Sequence, residues 1–300
     1  GLPQQLLTPQ TQAYRGMALV REAHAVLAKG SVEEANKKLD AAHEIFTRLR
    51  ASGDASETVI VGLALSKFTR FAAWGAQGAP GSTPADLNIV ADLLRPLVNE
   101  PGASRQVRLV YADTLNFLSH QRVDKEQGVA DCEEARAILI KMGARDLTDL
   151  GAASIYADTS DSQARHAAVL GRIDEAEALG REVYEIAEKV LVQRPGDLRS
   201  MHNLALAPGF LSSIARRRHD SAGAVEYAVK SEQASESFVR FNPSNLTAWG
   251  MWVSSKEGLV DAQFDQGRVA AALATARGMV ELRQDPRLPS GTDSIRSRPN

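Results

Sequence analysis

The chain has a single cysteine, Cys132, in 300 residues. No internal disulfide can form and no Cys-rich zinc site can be built, which leaves both a reducing cytoplasm and a disulfide-free periplasmic setting open. Cys132 precedes Glu133 and Glu134, and neighbouring carboxylates raise a thiol's pKa, so it reads as a buried small residue and not as a nucleophile. Long apolar runs are missing too. None approaches the roughly 20 residues that a membrane-crossing helix needs. Charge of one sign is not concentrated anywhere: 35 Lys and Arg stand against 37 Asp and Glu, interspersed, for a net charge of -2. Without a basic run to neutralise a phosphate backbone, nucleic acid and anionic membrane surfaces are disfavoured as partners. Two-residue alternation is absent and β-branched residues are scattered, so no strand is expected. There is no His-Glu-x-x-His and no glycine loop followed by Lys-Ser or Lys-Thr, and Asp40 with His43 has no second pair facing it. The reading is of a non-catalytic protein without metal or cofactor. Gly1-Leu2-Pro3 in place of an initiator methionine reads as the start of a piece cut from a longer chain, with Gly1 left from a tag.

What the chain does have is helical periodicity almost throughout, with Ala, Leu, Glu and Arg dominant. The first hairpin spans Thr8 to Lys29, a stop at Gly30, a capping box at Ser31-Val-Glu-Glu34 and a second helix ending at Ser52-Gly53-Asp54. Glu57 to Trp74 is apolar nearly all round, which predicts a central helix. A glycine and proline loop follows from Gly75 to Gly81, and Pro84 opens the next helix at its first position. Pairs are then expected at 104–121 with 126–142, 147–170 with 172–192, 198–218 with 221–241, and 246–266 with 268–282. The remaining glycines are read as helix ends. The last segment, 286–300, is read as a flexible Pro/Ser-containing tail.

The helix starts recur. Gly171-Arg-Ile-Asp-Glu-Ala176 returns 48 residues later at Ala224 and again at Gly267-Arg-Val-Ala-Ala-Ala272, while Pro195 and Pro243 close the helices between. A fixed period of this size predicts stacked helical hairpins. The Gly, Ala and Pro placement resembles the second helix of a tetratricopeptide repeat. That family's repeat is about 34 residues; the extra length here is accommodated by roughly two added turns in each helix, which leaves the buried face where it was. The pattern departs at Arg218-His219-Asp220, where the glycine before the second helix is missing. The resemblance implies an all-α chain, an α-solenoid of about six antiparallel hairpins coiled as a right-handed superhelix, with 1–285 as one repeat domain. The alternative is an irregular helical bundle.

It also implies that first helices line a concave groove. Register carried back from Ala224 points Arg199, His202, Asn203, Ser213, Arg216 and Arg217 into it, joined by Asp158, Asp161 and Arg165 from the preceding pair and by Arg105, Arg108 and Asn116 from the one aligned through Pro101. Such a mixture suits an extended peptide, whose carboxylates want Arg and whose amides want Asn. Arg216-Arg-Arg-His219 also lies in a last helical turn, where cations complement orphan carbonyls. Pro208 should bend its helix. The function expected is a scaffold that binds a protein or peptide, with room for a homodimer. The rival is a regulatory or sensory region of a bacterial multidomain signalling protein, a kinase or transcription regulator. A small-molecule receptor and a hydrolase stand behind these.

Overall fold

The computed structural model describes residues 8–27, 31–77 and 84–288. The Gly30 stop, residues 78–81 of the expected loop and residues 289–300 of the expected tail lie outside the described residues. Twelve α-helices and no strand occur among those described. The chain divides into two compact units, 1–138 and 139–300, with the division falling inside a helix.

The first unit holds α1 (Pro9–Leu27), α2 (Val32–Ala51), α3 (Glu57–Gln77), α4 (Pro84–Val98), α5 (Arg105–Gln121) and most of α6 (Lys125–Lys141). From α1 to α5 each helix packs on its chain neighbour, and α1 also meets α3. The centre is Phe46, fully buried. Its ring is seated against glycines of both flanking helices: a methyl group at Gly16 or at Gly62 would lie only 2.6 or 2.2 Å from the ring tip. Two sequence expectations shift here. The helix α3 continues to Gln77, so the start of the expected loop at Gly75 is helical. Ser31 is the N-cap of α2 but its side chain makes no capping bond; in the same first turn Glu33 pairs with Lys37, at 2.8 Å. Cys132 is fully buried on α6, and burial, more than the neighbouring carboxylates, pushes its thiol up to about 12.

The second unit repeats at the 48-residue spacing. The helices α7 (Leu150–Val169), α9 (Leu198–Arg217) and α11 (Leu246–Asp265) are each 20 residues long. Each opens on an equivalent cap: Asp149, Asp197 and Asn245 accept from the backbone N–H of Ala152, Ser200 and Ala248, satisfying donors that the helix cannot. The partners are α8 (Ile173–Gln193), α10 (Ser221–Phe241) and α12 (Val269–Arg283). Before each lies a left-handed residue, Gly171, His219 and Gly267, with φ of 79°, 59° and 77°. His219 thus takes the conformation its repeat position demands although it is not glycine, at a cost of about 1 kcal/mol. Ala176, Ala224 and Ala272 are all buried, as the crossing of paired helices requires.

Successive helices pack in chain order, and in addition α7 packs on α9 and α9 on α11. Among the described residues no comparable packing joins α8 to α10 or α10 to α12. Helices that touch at this spacing sit on the inside of the unit's curve. α7, α9 and α11 therefore form an inner row, with α8, α10 and α12 outside it.

Candidate functional site

Caps and side chains tie the inner row together. Ser154 of α7 donates to the Asp197 carboxylate at 3.0 Å and lies 3.3 Å from Ser200 of α9. Arg199 of α9 pairs with Asp158 of α7 at 3.4 Å. Arg165 closes a two-pronged pair on Asp161 at 2.7 and 3.2 Å and lies 5.4 Å from the centre of the Phe210 ring. Burial works against the charge on Arg165, but Asp161 outweighs it and holds the guanidinium above its ordinary pKa. At the far end of α9, Arg216 reaches across to Asp265 at 2.7 Å and Asp261 at 3.1 Å on α11. Asp265, against the smaller cost of burial, raises its pKa in turn.

These pairs bear on the twelve candidate residues. Arg105, Arg108 and Asn116 belong to the first unit; Arg105 is exposed, Arg108 partly buried, and Asn116 buried. In the second unit Arg199, Asp158, Asp161, Arg165 and Arg216 are paired with one another or with α11. Asn203, expected in the groove, is 1% exposed, and neither atom of its amide has a hydrogen-bond partner. The reason is register: Arg199 and Arg217, on the same stripe of α9, both reach α7, the latter to the Ala168 carbonyl at 3.2 Å, and Asn203 lies between them. His202 is half-buried beside it. The basic cluster ends α9, with Arg218 as its C-cap through the backbone N–H, while its side chains reach other helices: Arg216 holds α11, Arg217 holds α7, and Arg218 pairs with Asp174 and Glu177 of α8. Asp40 and His43 are likewise taken up, Asp40 by Arg70 and His43 by Ser66, 3.0 Å away. Among the described residues no group of three or more His, Cys, Asp or Glu could hold a metal ion, and no helix is long and apolar enough to cross a membrane.

What the inner row does present is a cleft of about 540 Å³ between α9 and α11, floored by α10. Leu206, Gly209, Phe210 and Ser213 form one wall, Gly250, Met251, Ser254 and Gly258 the other. Ala228, Ser231 and Ser235 form the floor, and Arg165 is the one charged residue of the lining. Pro208 does not interrupt α9, which is helical throughout, yet it cannot donate to the carbonyl one turn back. Next to that gap Ser231 donates to the Ala205 carbonyl at 2.7 Å. Ser235 is different: it is 1% exposed and its hydroxyl has no partner.

The glycines of the cleft are the residues that sequence reasoning passed over, since glycine was read as punctuation. Gly16 and Gly62 have a packing reason, the Phe46 ring. Gly250 and Gly258 stand inside α11, and a methyl group on either would meet nothing within 4 Å. An interior helix glycine costs about 1 kcal/mol relative to alanine, so this cleft is held open against the helix's own preference. The available signal was an isolated glycine within strong helical periodicity.

No family model matches the chain, and no curated protein does. Among solved structures it is similar to a thermophilic TPR protein of Thermus thermophilus, at 16% identity and a TM-score of 0.41 over 80% of this chain and 98% of that one. It is also similar to the hypoxic regulator of sterol synthesis Nro1, a nuclear import adaptor, at 12% identity and a TM-score of 0.47 over 96% of this chain and 93% of that one.

Proposed function

We propose that the chain is a protein-interaction scaffold, and that the inner row of its second unit takes an extended segment of a partner protein along the α9–α11 cleft. One observation carries this reading: two interior glycines keep the cleft empty where larger residues would fit and would stabilise the helix. Stability given up at one place without a packing reason marks function more often than accident. Because the neighbouring cations are already paired with acids of the same unit, the segment is held by shape, apolar contact and neutral hydrogen bonds. The association should accordingly respond weakly to salt.

The test is site-specific photo-crosslinking in the source cells, with benzoylphenylalanine placed at Ser254, exposed on the α11 wall of the cleft, or at Ser237, exposed on α10. A discrete adduct is expected from Ser254 and none from Ser237, with similar yield at low and high salt. Adducts from Ser237 alone would move the binding surface to the outer helices.

A further inference from the structure

The α11–α12 pair leaves open a face that the pair before it covers. Leu273 and Ala276 of α12 stand 48 residues after Val225 and Ala228 of α10, and those two are buried against Leu259 and Ala262 of α11. Leu273, by contrast, is 56% exposed. With Val269, Ala276 and Val280 it makes an apolar stripe at helical spacing along α12. Beside it on α11 run Val260 and Phe264, the latter 64% exposed. The groove between the two helices holds about 430 Å³. A continuous exposed apolar surface of this kind marks an interaction site.

Charge selects what lies on it. Glu257 and Asp261 edge the groove on α11, Arg277 and Arg283 on α12. Arg283 reaches Glu257 at 3.7 Å, which sets the two antiparallel helices level there. One turn nearer the Gly267 turn Asp261 is level with Arg277, and one turn further Phe264 is level with Leu273. Asp261 keeps 60% of its side chain exposed although Arg216 lies 3.1 Å away, and Arg277 is exposed. A second copy turned about a two-fold axis parallel to the helices lays its α11 over α12 at unchanged height. Acid then meets cation and phenylalanine meets leucine, on both sides of the axis. An axis across the helices would set Asp261 against Asp261 and Arg277 against Arg277, which is repulsive.

We propose that the α11–α12 face is a two-fold dimer interface, with Asp261 paired to the partner subunit's Arg277 and Leu273 covered by the partner subunit's Phe264. Each α12 is then capped by a first helix running antiparallel to it, as α10 is by α11. A head-to-tail contact matches less well, because the exposed residues of α1, Gln10, Arg15, Arg21 and Glu22 among them, are mostly polar. The interface is separate from the α9–α11 cleft, to which α11 turns Gly250, Ser254 and Gly258, so the two readings stand or fall independently.

Sedimentation equilibrium of the whole chain should show a dimer with a roughly micromolar Kd. Asp261→Arg and Arg277→Asp should each weaken it about tenfold or more by setting like charges together, and the two combined in one chain should restore it. Leu273→Asp should leave a monomer whose melt in dilute solution matches that of the unaltered chain, since the side chain is exposed in the monomer. Register is read by cysteine linking, because Cys132 is buried and adds no competing thiol. Asp261→Cys and Arg277→Cys chains should link when mixed and oxidised, and neither should link alone. A monomer at about 100 µM, a dimer that survives Leu273→Asp, a double charge exchange that fails to restore association, or self-linking of Asp261→Cys without a mixed product would each overturn the assignment.

Discussion

Replacing Phe46 with alanine is expected to destabilise the first unit by about 3 to 5 kcal/mol, near the upper end for a buried aromatic. The residue is fully buried, and its ring fills the space left by two glycines on flanking helices. Glycines have no side chain that could swing into the gap, so three helices would border a void that cannot collapse without backbone movement. On a unit of this size the loss should lower the melting temperature by on the order of 10 °C. Amide exchange in α1 to α3 should accelerate while that in α9 to α11 stays as it was, since the residue belongs to the first unit alone. Chemical denaturation followed by circular dichroism measures the effect. A loss below about 1 kcal/mol would mean that Phe46 is not the centre of that packing.

A loss of similar size, about 3 to 5 kcal/mol, is expected in the second unit for Trp249→Ala. Trp249 is fully buried, its indole N–H donates to the Pro243 carbonyl at 2.8 Å, and its ring lies 5.8 Å from that of Trp252. Arg287 covers it at 5.9 Å and Leu288 is buried in the same cluster. Truncation therefore opens a cavity, orphans a turn carbonyl and unseats the chain just past α12. Trp249→Phe should retain much of the packing and lose the hydrogen bond, for a cost of roughly 1 kcal/mol or somewhat more. Equal stability of the alanine and phenylalanine variants would contradict this account. The expected tail began at residue 286; the buried Leu288 puts the last packed contact of the described chain beyond that point.

The helix order and the 48-residue spacing were legible because they are written in local punctuation. Aspartate or asparagine caps, glycine in left-handed turns and proline after helices act within a few residues, and each is visible in sequence. Even the missing glycine at His219 was visible as a gap, although not that the histidine would adopt the left-handed conformation all the same. The site was much less legible. Whether Arg216 is free or paired depends on acids 45 and 49 residues away, nearly one repeat on, and helix periodicity does not determine which side chain reaches across. Asn203 shows the same limit: its stripe was identified, but whether the stripe faces solvent or α7 is decided by packing between helices. The glycines of α11 carried a signal that was misread, because glycine inside a helix looks like weakness until its surroundings show that nothing fills the space.

The most direct measurement is the yield of the Ser254 photo-adduct in a Gly258→Leu background, with helicity and melting followed in parallel. The account predicts that the adduct falls to a small fraction of its original yield while the protein remains fully helical and melts no lower than before, because the substitution fills the cleft and favours the helix. An undiminished adduct in a folded, cleft-filled protein would contradict it.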